Sequence, residues 1–75
     1  MLKSKKRERF LRTATRRVNY ILRGLRLLRN CSNRYIYDYT EEDVKKIFEV
    51  IRDKVDEVEA SFRVEIDTRK KFELE

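Results

Sequence analysis

Six cations, Lys5, Arg9, Arg12, Arg16, Arg23 and Arg26, recur at spacings of 4, 3, 4, 7 and 3. At about 100° per residue, a helix gathers them into one arc roughly 100° wide. The arc runs for about 32 Å along the axis, close to one helical turn of duplex DNA. All but Lys5 are Arg. A guanidinium grips phosphate through two parallel hydrogen bonds and is weakly hydrated, so it suits an anionic backbone better than an ammonium does. Ser4, Thr13, Thr15 and Asn19 lie in the same segment and can add neutral donors to phosphate oxygens. The chemistry indicated is binding of a DNA or RNA backbone by charge and shape. No base-reading motif accompanies it, so sequence specificity is not expected.

A charged helix face is also the ordinary solvated surface. Two features argue for more. A face that serves only solubility mixes signs, whereas residues 1–34 hold twelve Lys or Arg against a single acid, Glu8. Like charges at i, i+4 also repel along the helix, so something should offset them. Nucleic acid is one such compensator. An acidic helix of a partner subunit is another. The second expectation is therefore a helical adaptor or inhibitor that presents the Arg face to an acidic protein. A membrane surface bearing anionic lipid ranks third.

The rest of the chain has the opposite sign. Residues 35–75 hold eight Lys or Arg against thirteen acids. The whole chain has 75 residues, a net charge of +6, and 45% charged residues with 40% apolar. That apolar share is too high for the composition of a disordered chain, and the length fits one small domain.

Catalysis is not expected. The chain has no His and no Gly-rich phosphate loop. Cys31 is the lone cysteine; basic residues precede it, but no His or second Cys assists it. It excludes an intramolecular disulfide framework and a multi-Cys zinc site. No cofactor and no metal site are therefore expected, and a reducing cytoplasm is the simplest compartment. Asp53, Asp56, Glu57 and Glu59 fall at helical spacing and read as solvated surface rather than a cation site. No apolar run reaches the ~18 residues of a membrane span, and no secretory signal is evident.

The elements that must position the cations are two helices. Leu11, Ala14, Val18, Ile21, Leu25 and Leu28 are spaced 3, 4, 3, 4, 3. Val44, Phe48, Ile51, Val55, Val58 and Phe62 are spaced 4, 3, 4, 3, 4, with Ile47 widening the stripe. That alternation keeps an apolar seam on one helix face. Each seam is about 26 Å long, and the basic arc lies opposite the first. Pro is absent and Gly24 is the only Gly, so long helices are favoured.

The expected fold is all-α, an antiparallel helical hairpin with helices at about 4–30 and 41–62. A two-helix core is thin, so the hairpin is expected to dimerise into a four-helix bundle. Within the single domain 1–75, residues 1–30 form the basic helix, 31–40 a loop, 41–62 the acidic helix and 63–75 a tail.

Local signals mark the ends. Thr40 with Asp43 resembles a capping box, and Tyr39 with Val44 a hydrophobic staple. Glu41–Lys45 and Glu42–Lys46 are favourable i, i+4 pairs. Asn30-Cys31-Ser32-Asn33 favours side-chain bonds to the backbone over continued helix. Gly24 permits a kink or the close approach of another backbone, although a continuous helix is the favoured reading. Tyr35, Tyr37 and Tyr39 alternate with Ile36 and Asp38. An extended segment would put the three rings on one side, as a lid over the bundle end or as a base-stacking platform beside Arg34. In the tail, Val64 and Ile66 alternate with charge, as do Phe72 and Leu74. A short β-hairpin and a frayed helical extension both fit.

Several stretches together resemble a group of short uncharacterised bacterial proteins, some of them associated with mobile elements. They are Arg12-Thr13, the Ile21–Leu28 run, Asn30-Cys31-Ser32-Asn33, Tyr37-Asp38-Tyr39-Thr40-Glu41-Glu42-Asp43-Val44, Lys46-Ile47-Phe48 and Phe72-Glu73-Leu74. The resemblance covers most of the chain. It implies a small bacterial helical protein and brings no activity with it.

Overall fold

The computed structural model describes the backbone of residues 2–73 and the side chains of residues 5–68. The protein is all-α. A long helix α1 (Leu2–Arg29) leads into a single 3-10 turn (Asn30–Ser32), and a second long helix α2 (Glu41–Glu73) follows. No strand occurs among the described residues. The chain divides into two units, Met1–Asp38 and Tyr39–Glu75, and each is built by its own local chemistry.

In the first unit, α1 runs unbroken through Gly24. No positive φ occurs at Gly24, and a Cβ added there would meet nothing within 4 Å. The residue is therefore neither a kink nor a point of close approach within the chain. Arg26 and Arg29 occupy the last turn, where positive charge favours the negative end of the helix dipole. The first turn of α1 has no acid to do the reverse.

The helix stops where side chains capture the backbone. The Ser32 hydroxyl donates to the Arg29 carbonyl at 2.7 Å. Asn33 then organises the next turn almost alone. Its carbonyl accepts from Ile36 N–H at 3.2 Å and Tyr37 N–H at 2.9 Å, while its side-chain Oδ1 accepts from Tyr35 N–H at 2.9 Å. These are the side-chain-to-backbone bonds expected of the Asn-x-Ser-Asn stretch. They also correct one expectation: residues 34–36 form a turn rather than an extended strand, so the tyrosines do not share a pleated face. Tyr35 is 100% exposed, which leaves no lid contact for its ring.

In the second unit, α2 begins at the expected residue. Val44 N–H donates to the Thr40 carbonyl at 3.2 Å, closing the first helical bond. Tyr39 and Val44, the two staple positions, are both half-buried. An ion pair further along joins Lys54 Nζ to Glu57 Oε1 at 2.7 Å. It sits at i, i+3 with both side chains mostly exposed, so it adds little stability. Arg52 lies 5.9 Å from the centre of the Phe48 ring, an exposed cation–π contact one helical turn apart.

The end of α2 differs from the expected boundary near 62. The helix continues to Glu73, so the tail is a helical extension and the β-hairpin alternative falls. The reason is local. No Gly or Pro follows Phe62, and Arg63, Glu65, Arg69, Lys70 and Lys71 are favourable helix formers. Ile66 then stands four residues after Phe62 and joins the apolar stripe, while Val64 leaves it. The side chains of Phe72 and Leu74 lie outside the described residues.

Among the described side chains none is fully buried. The half-buried ones concentrate on the two apolar stripes, at Ala14 and Leu28 in α1 and at Val44 and Ile51 in α2. Other stripe residues remain open, with Ile21 61% and Val55 56% exposed. A single amphipathic helix cannot cover its own apolar face, and its stability in proteins comes chiefly from packing that face.

Candidate nucleic-acid interface

The six cations of the predicted interface all lie on α1, and all six are exposed. Because α1 is continuous from Leu2 to Arg29, the helical phase that gathers them into one arc holds without interruption at Gly24. The arc has internal structure. Lys5, Arg9, Arg12 and Arg16 succeed one another at intervals of a turn. A neutral step of about 10 Å then separates Arg16 from Arg23 and Arg26, and Asn19 occupies the arc within that step.

A shallow open groove follows α1 from Glu8 to Arg23. Arg12, Arg16 and Arg23 line it, so three of the six site residues share one strip. Thr15 and Asn19, expected to supply neutral donors, line it as well. Lys5, Arg9 and Arg26 belong to the same arc but lie outside the groove lining. Thr13 is half-buried rather than open, which makes it the weakest of the candidate donors. Ser4 lies outside the described side chains.

Sequence reasoning left three groove residues out of the site. Tyr20 lines the groove together with Leu11. Its signal was available, because Tyr20 stands four residues after Arg16 and three before Arg23. Glu8 closes the N-terminal end of the groove. A carboxylate there repels phosphate and biases an anionic ligand toward the Arg12–Arg23 stretch.

Exposed guanidinium groups at helical spacing supply charge-assisted hydrogen bonds to phosphate or carboxylate oxygens. Neutral side chains between them offer further hydrogen bonds at set heights along the axis. The tyrosine ring adds a flat surface for a base, a sugar or an apolar side chain. Arg34 stands beyond the end of α1 and does not line the groove, so Tyr35 and Arg34 are separate from this strip. Cys31 is a free, exposed thiol within the 3-10 turn.

Among the described residues, no helix is long and apolar enough to cross a membrane. No protein-family model, curated protein or solved structure matches the chain.

Proposed function

We propose that this chain is a non-enzymatic binder of nucleic-acid backbone that uses the Arg-rich face of α1. The observation that carries the reading is six exposed cations in one arc of an unbroken helix. Neutral donors lie between them and the only acid of the helix stands at its edge. Contacts of this kind position a protein on a duplex without reading its sequence. The functional unit is a homodimer in which the apolar stripes of α1 and α2 are covered as a four-helix bundle. A monomer by light scattering at micromolar concentration would defeat that part. The compartment proposed is the cytoplasm, where an exposed free thiol such as Cys31 stays reduced.

The deciding experiment is an anisotropy titration with labelled duplex DNA, single-stranded DNA and RNA at several salt concentrations. With all six cations on phosphates, log K falls against log salt with a slope near −5 for a duplex. Absence of binding at 50 mM salt ends the proposal.

A second reading has its own support. The groove includes Tyr20 and Leu11 beside the arginines. A phosphate backbone makes little use of an aliphatic wall, whereas an acidic amphipathic helix uses both. An adaptor or inhibitor that presents the Arg face to an acidic protein therefore remains the alternative. A size-exclusion shift with an acidic partner, and none with DNA or RNA, selects it. Attachment to anionic membrane surfaces is the least supported of the three.

A further inference from the structure

The outward face of α2 mirrors that of α1 in sign. Glu42, Glu49, Asp53, Asp56 and Asp67 are all exposed. On a helix that runs from Glu41 to Glu73, they fall in one arc about 60° wide. The arc lies opposite the Val44–Ile66 apolar stripe of the same helix. Among the described side chains it holds no cation, and its remaining position is the small Ala60. Each helix thus carries an apolar stripe and, behind it, a stripe of one charge: positive on α1, negative on α2.

The two charged stripes also share a spacing. Lys5, Arg12 and Arg16 are separated by 7 and 4 residues, as are Glu42, Glu49 and Asp53. Two helices laid side by side in parallel can therefore pair all three at once. The next step of the same register sets Asn19 against Asp56 and Arg23 against Ala60, while Arg9 and Arg26 fall level with Lys46 and Arg63, which stand outside the acidic arc of α2.

We propose that the acidic face of α2 is a docking surface for the Arg face of α1 from a second copy of this chain. Charge complementarity along matched spacing argues for that occupant. The contact uses faces that lie behind the apolar stripes, so it adds to a bundle dimer rather than replacing it. It joins unlike surfaces, and such heterologous contacts propagate into rings or filaments unless geometry closes them. The consequence is regulatory. Lys5, Arg12 and Arg16 serve either the acidic helix of a neighbour or a nucleic acid, so assembly and nucleic-acid binding compete. The competition rests on the nucleic-acid reading above; the assembly does not.

Sedimentation of the full chain at 25 and 300 mM salt tests the assembly. The expected result is species larger than a dimer at 25 mM that collapse to the dimer at 300 mM, as screening shortens the reach of exposed charges. A mass independent of salt overturns the proposal. Two charge-reversed chains sharpen it: one carries Glu49→Lys, Asp53→Lys and Asp56→Lys, the other Arg12→Glu, Arg16→Glu and Arg23→Glu. Each alone should lose the low-salt growth, and mixing them should restore it at one-to-one stoichiometry. Growth that survives in either chain alone, or a mixture that fails to associate, overturns it.

Duplex titration tests the competition. The chain with Glu49→Gln, Asp53→Asn and Asp56→Asn should bind duplex at low salt at least threefold more tightly than one with Glu57→Gln, Glu59→Gln and Glu65→Gln. The two differ from the parent by the same net charge, so equal tightening overturns the competition. Loss of duplex binding in every chain overturns the nucleic-acid reading instead, and sedimentation still decides the assembly.

Discussion

Thr40 and Asp43 cap α2 reciprocally: Thr40 N–H donates to Asp43 Oδ2 at 2.9 Å, and Asp43 N–H donates to Thr40 Oγ1 at 3.1 Å. Two amides that would otherwise lack intrahelical partners are thereby satisfied by two short side chains. Glu41 and Glu42 add negative charge in the same turn, where the helix dipole favours it. Thr40→Ala removes half of this exchange and should cost about 1 kcal/mol of helix stability. Amide hydrogen exchange at residues 41–44 reads the effect locally, and unchanged protection there would refute the capping role.

The same pair makes the start of α2 sensitive to acid. Asp43 is held below the ordinary aspartate value, first by the Thr40 backbone N–H, then by the Thr40 hydroxyl, with a smaller contribution from the charge of Lys46. A depressed folded-state value means that the unfolded chain binds the proton more readily. The stabilisation is therefore complete above the unfolded value near 3.9, and it fades as pH falls through the lower folded value. Protection at residues 41–44 should drop on acidification below about pH 4, and Asp43→Asn should flatten that dependence. A parallel fall in the Asn variant would assign the acid sensitivity elsewhere.

Gly24 offers a gain of stability without a clash. It lies inside α1 with open space where a Cβ would stand. Gly24→Ala should stabilise the helix by about 1 kcal/mol, visible as greater helical ellipticity and a higher Tm. A loss of stability would mean that an assembled partner approaches the backbone at this point.

The apolar stripe of α2 is the place to break the proposed dimer. Val55 lies at its middle and is 56% exposed within its own chain. Val55→Asp should shift sedimentation equilibrium from dimer to monomer and lower helical ellipticity with it, because the helices draw their stability from packing that face. A dimer that survives this change does not use the stripe.

The arginines should be separable by salt dependence. Removing two phosphate contacts with Arg12→Gln and Arg16→Gln should reduce the magnitude of the duplex salt slope by about 2. A weakened affinity with an unchanged slope would place these residues outside the phosphate contacts.

Much of this fold was legible in the sequence because its signals are local. The cap at Thr40, the capture of backbone groups by Ser32 and Asn33, and the seam spacings all act within a turn or two. The errors have a local cause as well. Val64 and Ile66 alternate over too short a stretch to separate a period of 2 from one of 3.6. Ile66 also stands one turn beyond Phe62, and no breaker stands between them, so the helix continues. The tyrosines misled in the same way: alternation suggested an extended strand, but Asn33 draws three amides back to itself and makes a turn. For the candidate site, the cationic arc followed directly from spacing. Tyr20 escapes a reading built on charge, because its signal is its place between Arg16 and Arg23.

The spacing of the apolar stripes also fixes a handedness. Steps that alternate 3 and 4 average 3.5 residues per turn, slightly short of the 3.6 of a straight helix. Along α2 the stripe therefore drifts by about 20° per heptad, close to 40° over the two heptads from Phe48 to Phe62. A partner helix that stays in contact over that length must wind around α2 in a left-handed superhelix.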